Sequence, residues 1–129
     1  MRFEVQESGS VELGLKTFFY IENSYMGSAV IEKFHDDIWH FNRLYIHKNL
    51  RGRGIGTALV NKTAAFCNEN KVTLINVLNP YGDLQYEQLK HFYLKNGFSV
   101  GPIEGVLVIL KAGDSLERFL PAFAYIRGA

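Results

Sequence analysis

The chain has 129 residues, a length that fits one domain spanning 1–129 at the usual ~100–200 residues each. Its 47% hydrophobic content, with one Trp, seven Tyr and ten Phe, supplies a core and excludes disorder over most of the length. Fourteen basic against thirteen acidic residues leave a net charge of +1, so no global field draws the chain to nucleic acid or an anionic membrane, and any anionic ligand must be held locally.

Phe3 to Glu7 alternates apolar and polar residues and predicts a short first strand, ended by the turn formers Ser8, Gly9 and Ser10. No apolar run follows the charged Arg2, Glu4 and Glu7, so no leader segment is expected. Leu15 to Glu22 is rich in aromatic and β-branched residues, turn chemistry follows, and Ser28 to Phe34 resumes strand composition, which predicts a hairpin. His35, Asp36 and Asp37 make the next turn, and Ile38 to His47 alternates as a third long strand of a meander. From Ile55, the residues Ala58, Leu59 and Phe66 recur at helical spacing until Asn68, Glu69 and Asn70 end the segment.

That helix carries the single cysteine, Cys67, which has no internal disulfide partner and offers no metal-ligand spacing. A reducing, cytoplasmic setting follows as the expectation, with Cys67 in the core rather than acting as a nucleophile and no metal site. Val72 to Leu78 reads as a strand buried on both faces, and Asn79, Pro80, Tyr81 and Gly82 turn the chain. Asp83 is the expected N-cap of a helix through Leu84, Leu89, Phe92 and Tyr93, stopped where Gly97 takes up a left-handed C′ position. Strands follow at Phe98 to Val100 and Val106 to Lys111. The longest aliphatic run, Val106 to Leu110, is far below the ~20 residues that span a bilayer. The order is that of an α/β fold in which the strand, helix and strand over 38–78 demand one parallel pair and the rest is free to be antiparallel. Residues 113–129 form a C-terminal extension too apolar, through Leu116, Phe119, Leu120, Phe123, Tyr125 and Ile126, to lie free in water. It packs either on its own domain or on a partner, as in a homodimer.

Arg51, Gly52, Arg53, Gly54, Ile55, Gly56 and Thr57 place three alternate glycines and two arginines at a strand-to-helix junction, the favoured ligand position of such a sheet. Glycines admit ligand oxygens close to the backbone, and the first N–H groups of a helix lack internal partners at its positive end. Such a turn suits a phosphate or pyrophosphate, and two guanidinium groups add charge for further oxygens. A Walker turn is disfavoured because Gly56 is followed by Thr57 without a lysine, and a dinucleotide fingerprint because Gly56 follows Gly54 by two positions rather than three. A tight turn with solvated arginines is the alternative reading of the hexapeptide alone.

The run from Leu44 through His47 and Leu50 to Gly56 resembles motif A of the GNAT superfamily of acyl-CoA N-acyltransferases, which is Arg or Gln, two residues, Gly, one residue, then Gly or Ala. Further on, Phe92, Tyr93, Leu94, Lys95, Asn96, Gly97 and Phe98 resemble the family's Phe-Tyr-x-Lys-x-Gly-Phe helix end. The resemblance covers roughly 16–111. It implies a mixed, mostly antiparallel sheet with a central splayed parallel pair and flanking helices. It implies acetyl-CoA as co-substrate, with the backbone of Leu44, Tyr45 and Ile46 pairing with the pantetheine arm and Arg51 to Thr57 holding the pyrophosphate.

The same resemblance makes Tyr93 the general acid that protonates the leaving thiolate; the competing reading is a core aromatic beside Phe92. His40, eleven positions before Arg51, stands where relatives carry a side-chain base, and simple alternation puts His40, Asn42, Leu44 and Ile46 on one face. A surface or hydrogen-bonded histidine is its alternative, while His35, His47 and His91 rank lower. Where many relatives carry Asn, seven residues before the tyrosine, this chain has Tyr86, and Asn79 is the expected replacement for that cofactor contact. Relatives also place helices between their first two strands, for which only Ser8 to Gly14 is available, so the acceptor site is expected to be open or completed by another chain. The function implied is an N-acetyltransferase that acts on a small-molecule or peptide amine by direct attack on the thioester. The alternatives are a non-catalytic acyl-CoA-binding or protein-interaction module and, last, an RNA-binding element.

Overall fold

In the computed structural model, which describes residues 4–78, 85–101 and 103–115, the chain opens as an antiparallel meander of β1 (Gln6–Ser10), β2 (Leu15–Glu22), β3 (Tyr25–His35) and β4 (Ile38–Ile46). A 3-10 turn (Lys48–Leu50) and α1 (Ile55–Glu69) lead into β5 (Thr73–Val77), and α2 (Tyr86–Lys95) precedes β6 (Ser99–Val100) and β7 (Val106–Ile109). All seven strands join one sheet in the order β1-β2-β3-β4-β5-β7-β6. The β4–β5 pair is parallel and the others are antiparallel, as the strand, helix and strand order requires.

Both helices lie on one face. Ile55, Leu59, Val60 and Cys67 of α1 and Tyr93 of α2 share a buried cluster with Phe18, Ile31, Trp39, Phe41 and Leu74 of the sheet. The ring of Phe66 meets Phe18 and Trp39 edge-on, each at 5.8 Å between centroids. On the opposite face Ile38, Ile75, Val106 and Val108 form a second cluster to which Phe34 and Val77 add. Among the described residues no helix is long and apolar enough to cross a membrane.

Two expectations change. The first strand runs Gln6–Ser10 instead of stopping at Glu7, because Ser8, Gly9 and Ser10 pair with Thr17, Lys16 and Leu15, and the reversal falls at residues 11–14. No helix intervenes between β1 and β2, in line with the few residues available. The second helix is capped by Gln85 in place of Asp83: its side chain accepts from the Gln88 backbone while the Gln88 side chain accepts from the Gln85 N–H at 3.3 Å. Asp83 and Leu84 lie outside the described residues, as do Asn79 and the tail from Leu116 onward with the homodimer reading attached to it. The stop at Gly97 is as expected: φ is 103°, and the Phe98 N–H reaches back to the Tyr93 carbonyl at 3.1 Å.

Candidate functional site

Pairing between β4 and β5 covers three positions, Ile38 with Thr73, Trp39 with Leu74 and His40 with Ile75. Beyond His40, β4 continues to Ile46 paired with β3, and its other edge has no strand partner among the described residues. The two parallel strands therefore form a fork whose apex is His40 and Ile75. A β-bulge sits at that apex: Val30 pairs with Arg43 and Ile31 with Phe41, leaving Asn42 as the extra residue. A bulge bends and twists its strand, which turns β4 away from β5 where the fork opens.

The bulge corrects the expected face. Trp39 and Phe41 before it and Leu44 and Ile46 after it all pack on the helix side. His40 alternates with Trp39 and Phe41 and shares the opposite face with Ile38, so it does not lie beside Leu44 and Ile46. Strict alternation fails because one inserted residue shifts the phase of everything after it.

Beyond the fork, the chain turns through Gly52 (φ 78°) and Gly54 (φ 81°) before α1 starts. Gly54 is the N-cap in a left-handed conformation that a Cβ would strain, and its carbonyl accepts the Ala58 N–H at 3.1 Å. The amides of Ile55, Gly56 and Thr57 precede the first i−4 carbonyl and are free to meet an anion at the positive end of α1. A Cβ at Gly56 would stand 3.4 Å from Phe92 Cζ, an ordinary contact distance, so α2 packs close beside the start of α1.

A cavity of about 570 Å³ runs along the end of β4 unpaired with β5 to this turn. Its walls include Leu44, Tyr45 and Ile46 from β4, Arg51, Gly52, Gly54, Ile55, Gly56 and Thr57 from the turn, and Tyr93 from α2. The structure thus gathers the expected cofactor residues with two exceptions. Asn79 lies outside the described residues, and Arg53 is not part of the wall. The Arg53 guanidinium instead makes a two-pronged pair with the Glu22 carboxylate, at 2.7 and 2.8 Å. The two arginine side chains expected on one anion thus have different partners in this structure. Arg51 stays at the wall and donates through Nε to the Ile46 carbonyl at 3.2 Å.

Tyr93 fits both of its readings. Its ring is 4% exposed and meets Phe41, Phe92 and Phe98 edge-on at 5.5, 5.3 and 5.3 Å, so it is a core aromatic; it also lines the cavity. Burial pushes its hydroxyl up to about 12, and the nearby Asn76 side chain pulls the other way; the buried Asn76 Nδ2 itself makes no hydrogen bond among the described residues. Asn76 follows the last residue of β5 that pairs with β4, lies on the helix side, and is 4% exposed.

On the other face His40 pairs across the ladder with Glu32. Desolvation holds its imidazole below the ordinary value and the Glu32 charge pulls the other way, so His40 is mostly neutral at pH 7. Of the other histidines, His47 stacks on Tyr25 at 4.6 Å and accepts the Asn49 N–H, and His35 pairs with Asp36 at 3.5 Å. Cys67 is 1% exposed and burial pushes its thiol up to about 12, which makes it an inert core residue as expected.

Sequence reasoning missed Leu50, Gln88, Leu89 and Phe92 on the cavity wall. Helical spacing held the signal for three of them, because Gln88, Leu89, Phe92 and Tyr93 fall on one face of α2. Asn76 and Glu22 were also missed. Their contacts span 17 and 31 residues and leave no local pattern.

The family model described as an acetyltransferase (GNAT) domain matches residues 15–100. Among solved structures, the anti-CRISPR protein AcrVA5 aligns at a TM-score of 0.61 with 21% identity, over 74% of this chain and 98% of its own. The PaiA N-acetyltransferase from Thermoplasma acidophilum, in complex with coenzyme A, aligns at 0.62 with 17% identity, over 76% of this chain and 62% of its own, under two thirds of that protein. An acetyltransferase of the GNAT family from Staphylococcus aureus aligns at 0.60 with 15% identity, over 76% and 68%. At these identities the likeness is one of fold. No curated protein sequence matches the chain at a significant level.

Proposed function

This chain belongs to the GNAT acetyltransferase family, and from that premise we propose that it moves an acetyl group from acetyl-CoA to a primary amine. The observation that carries the reading is the end of β4–β5 pairing at His40 and Ile75, which leaves the Leu44–Ile46 end of β4 open along a cavity that reaches the glycine turn at the start of α1. The open edge of Leu44 to Ile46 fits an amide-bearing arm, and the left-handed Gly52 and Gly54 with the first α1 amides fit a diphosphate. Acetyl-CoA held there supplies the activated acyl carbon as a thioester.

The two faces of the fork support separate proton roles. The amine nitrogen bonds to the acyl carbon as the carbon–sulfur bond breaks, which requires a proton to leave nitrogen and another to reach sulfur. His40, neutral near pH 7 on the face away from the helices, takes the first at its imidazole, directly or through water. Tyr93, protonated throughout the neutral range on the helix face, gives the second from its hydroxyl. Asn76, whose buried Nδ2 is without a hydrogen-bond partner among the described residues, pulls the Tyr93 hydroxyl down and so offsets part of the burial that holds it well above a thiol of ~8.5.

Mixing the protein with acetyl-CoA and a panel of amines, while following free thiol, tests the reading. Amine-dependent thiol release supports it. Tight CoA binding without turnover on any amine favours a non-catalytic acyl-CoA-binding module.

A further inference from the structure

We propose that Glu22 is a positioning residue of the anion cradle: by fixing the Arg53 guanidinium it holds the Gly52–Gly54 turn in the shape that presents its amides. The inference rests on the reading of that turn as the diphosphate site.

Two left-handed glycines on either side of one residue make a segment with unusually many unfolded and partly ordered conformations. A cradle built from such a segment binds weakly unless something orders it before the ligand arrives. Arg53 is the residue between the glycines, and its side chain is anchored on an element remote in sequence. Glu22 ends β2, where its backbone pairs with Tyr25 across the hairpin to β3. Its carboxylate takes both prongs of Arg53 at 2.7 and 2.8 Å and accepts the Tyr20 hydroxyl at 3.1 Å. Tyr20 thus holds the carboxylate, the carboxylate holds the guanidinium, and the guanidinium holds the turn from outside the cavity. Glu22 sits below the usual carboxylate range, chiefly because of Arg53, and is ionised at neutral pH.

An arginine inside an anion-binding turn has a second potential use, as a direct phosphate ligand that Glu22 holds in reserve. The two uses predict opposite signs. Removing the Glu22 charge weakens CoA if Arg53 acts as the anchor, and tightens CoA if Arg53 is a restrained ligand.

The test uses the full chain with Glu22→Gln, Arg53→Gln and the exchange Glu22→Arg with Arg53→Glu, all checked for fold by circular dichroism. Calorimetry with CoA is expected to show Glu22→Gln weakening Kd about tenfold, the scale of one charge-assisted hydrogen bond, with kcat at saturating acetyl-CoA within about twofold. The exchange recovers most of the affinity, which a general loss of stability does not produce. In the ligand-free protein the amide resonances of Gly52 and Gly54 shift and exchange faster in Glu22→Gln. Unchanged or tighter CoA binding overturns the proposal. Should the unsubstituted protein fail to bind CoA, the reading of the site falls, while unmoved Gly52 and Gly54 amides separately overturn the positioning role.

Discussion

The glycine turn over 51–57 and the fork between β4 and β5 lie side by side along one cavity, yet they are built in different ways. The turn is backbone chemistry. Its three glycines and the start of α1 are consecutive in the chain, and most of its shape follows from local conformation. The fork is assembled from a distance: a bulge at Asn42 defined by β3, an end of pairing set by β5, and a tyrosine presented by α2. The difference separates the work as well. On the proposed function the turn would govern how tightly an anionic cofactor is held, and the fork what happens to the group at its end.

Four tests, one of them a deletion, probe that division in falling order of effect. Tyr93→Phe removes a proton donor from the fork while keeping the ring contacts. It lowers kcat by about 10²–10⁴-fold and leaves CoA affinity unchanged; undiminished turnover removes Tyr93 as the acid. Deleting Asn42 removes the bulge yet keeps Trp39, Phe41, Leu44 and Ile46 on the core face, since both sides of the deletion then alternate in one phase. The protein folds, β4 straightens toward β5, and kcat/KM for acetyl-CoA falls about a hundredfold from misplacement of the reacting groups. Retention of full efficiency would show that the bulge does not open the fork.

Gly54→Val forces a β-branched residue into φ 81° at the N-cap, a strain of about 1–3 kcal/mol spent against the bound turn. Kd for CoA rises about 10–100-fold while kcat at saturation changes little, and calorimetry beside steady-state kinetics separates the two. The smallest effect concerns His40. A base works deprotonated, so kcat rises with pH through the His40 titration, and because burial lowers that pKa the midpoint lies below the ordinary ~6.5. Glu32→Gln removes the opposing pull and moves the midpoint lower still. A midpoint that persists in His40→Gln assigns the limb to another group.

Legibility follows the same division. The turn was readable because spacing alone distinguishes Arg51 to Gly56 from other phosphate loops, and the helix stop at Gly97 because one residue type satisfies a left-handed C′ position. Strand order around β4 and β5 was readable from the intervening helix, which demands a parallel connection. The face of His40 was misread because a bulge is decided by the partner strand, and nothing near Asn42 in the chain announces it. The Glu22 partner of Arg53 was missed for a related reason. A guanidinium in a glycine-rich turn suits phosphate and carboxylate equally, and only the fold brings Glu22 within 2.7 Å.

The central claim is that the fork and the turn together form the CoA site, and a crystal structure of the protein with CoA tests it most directly. The account predicts the pantetheine arm along the open edge of Leu44 to Ile46, the diphosphate on the amides of Gly52 to Thr57, the sulfur near Tyr93, and Arg53 still paired with Glu22. CoA bound elsewhere, or β5 pairing with β4 beyond His40 in the complex, would contradict it.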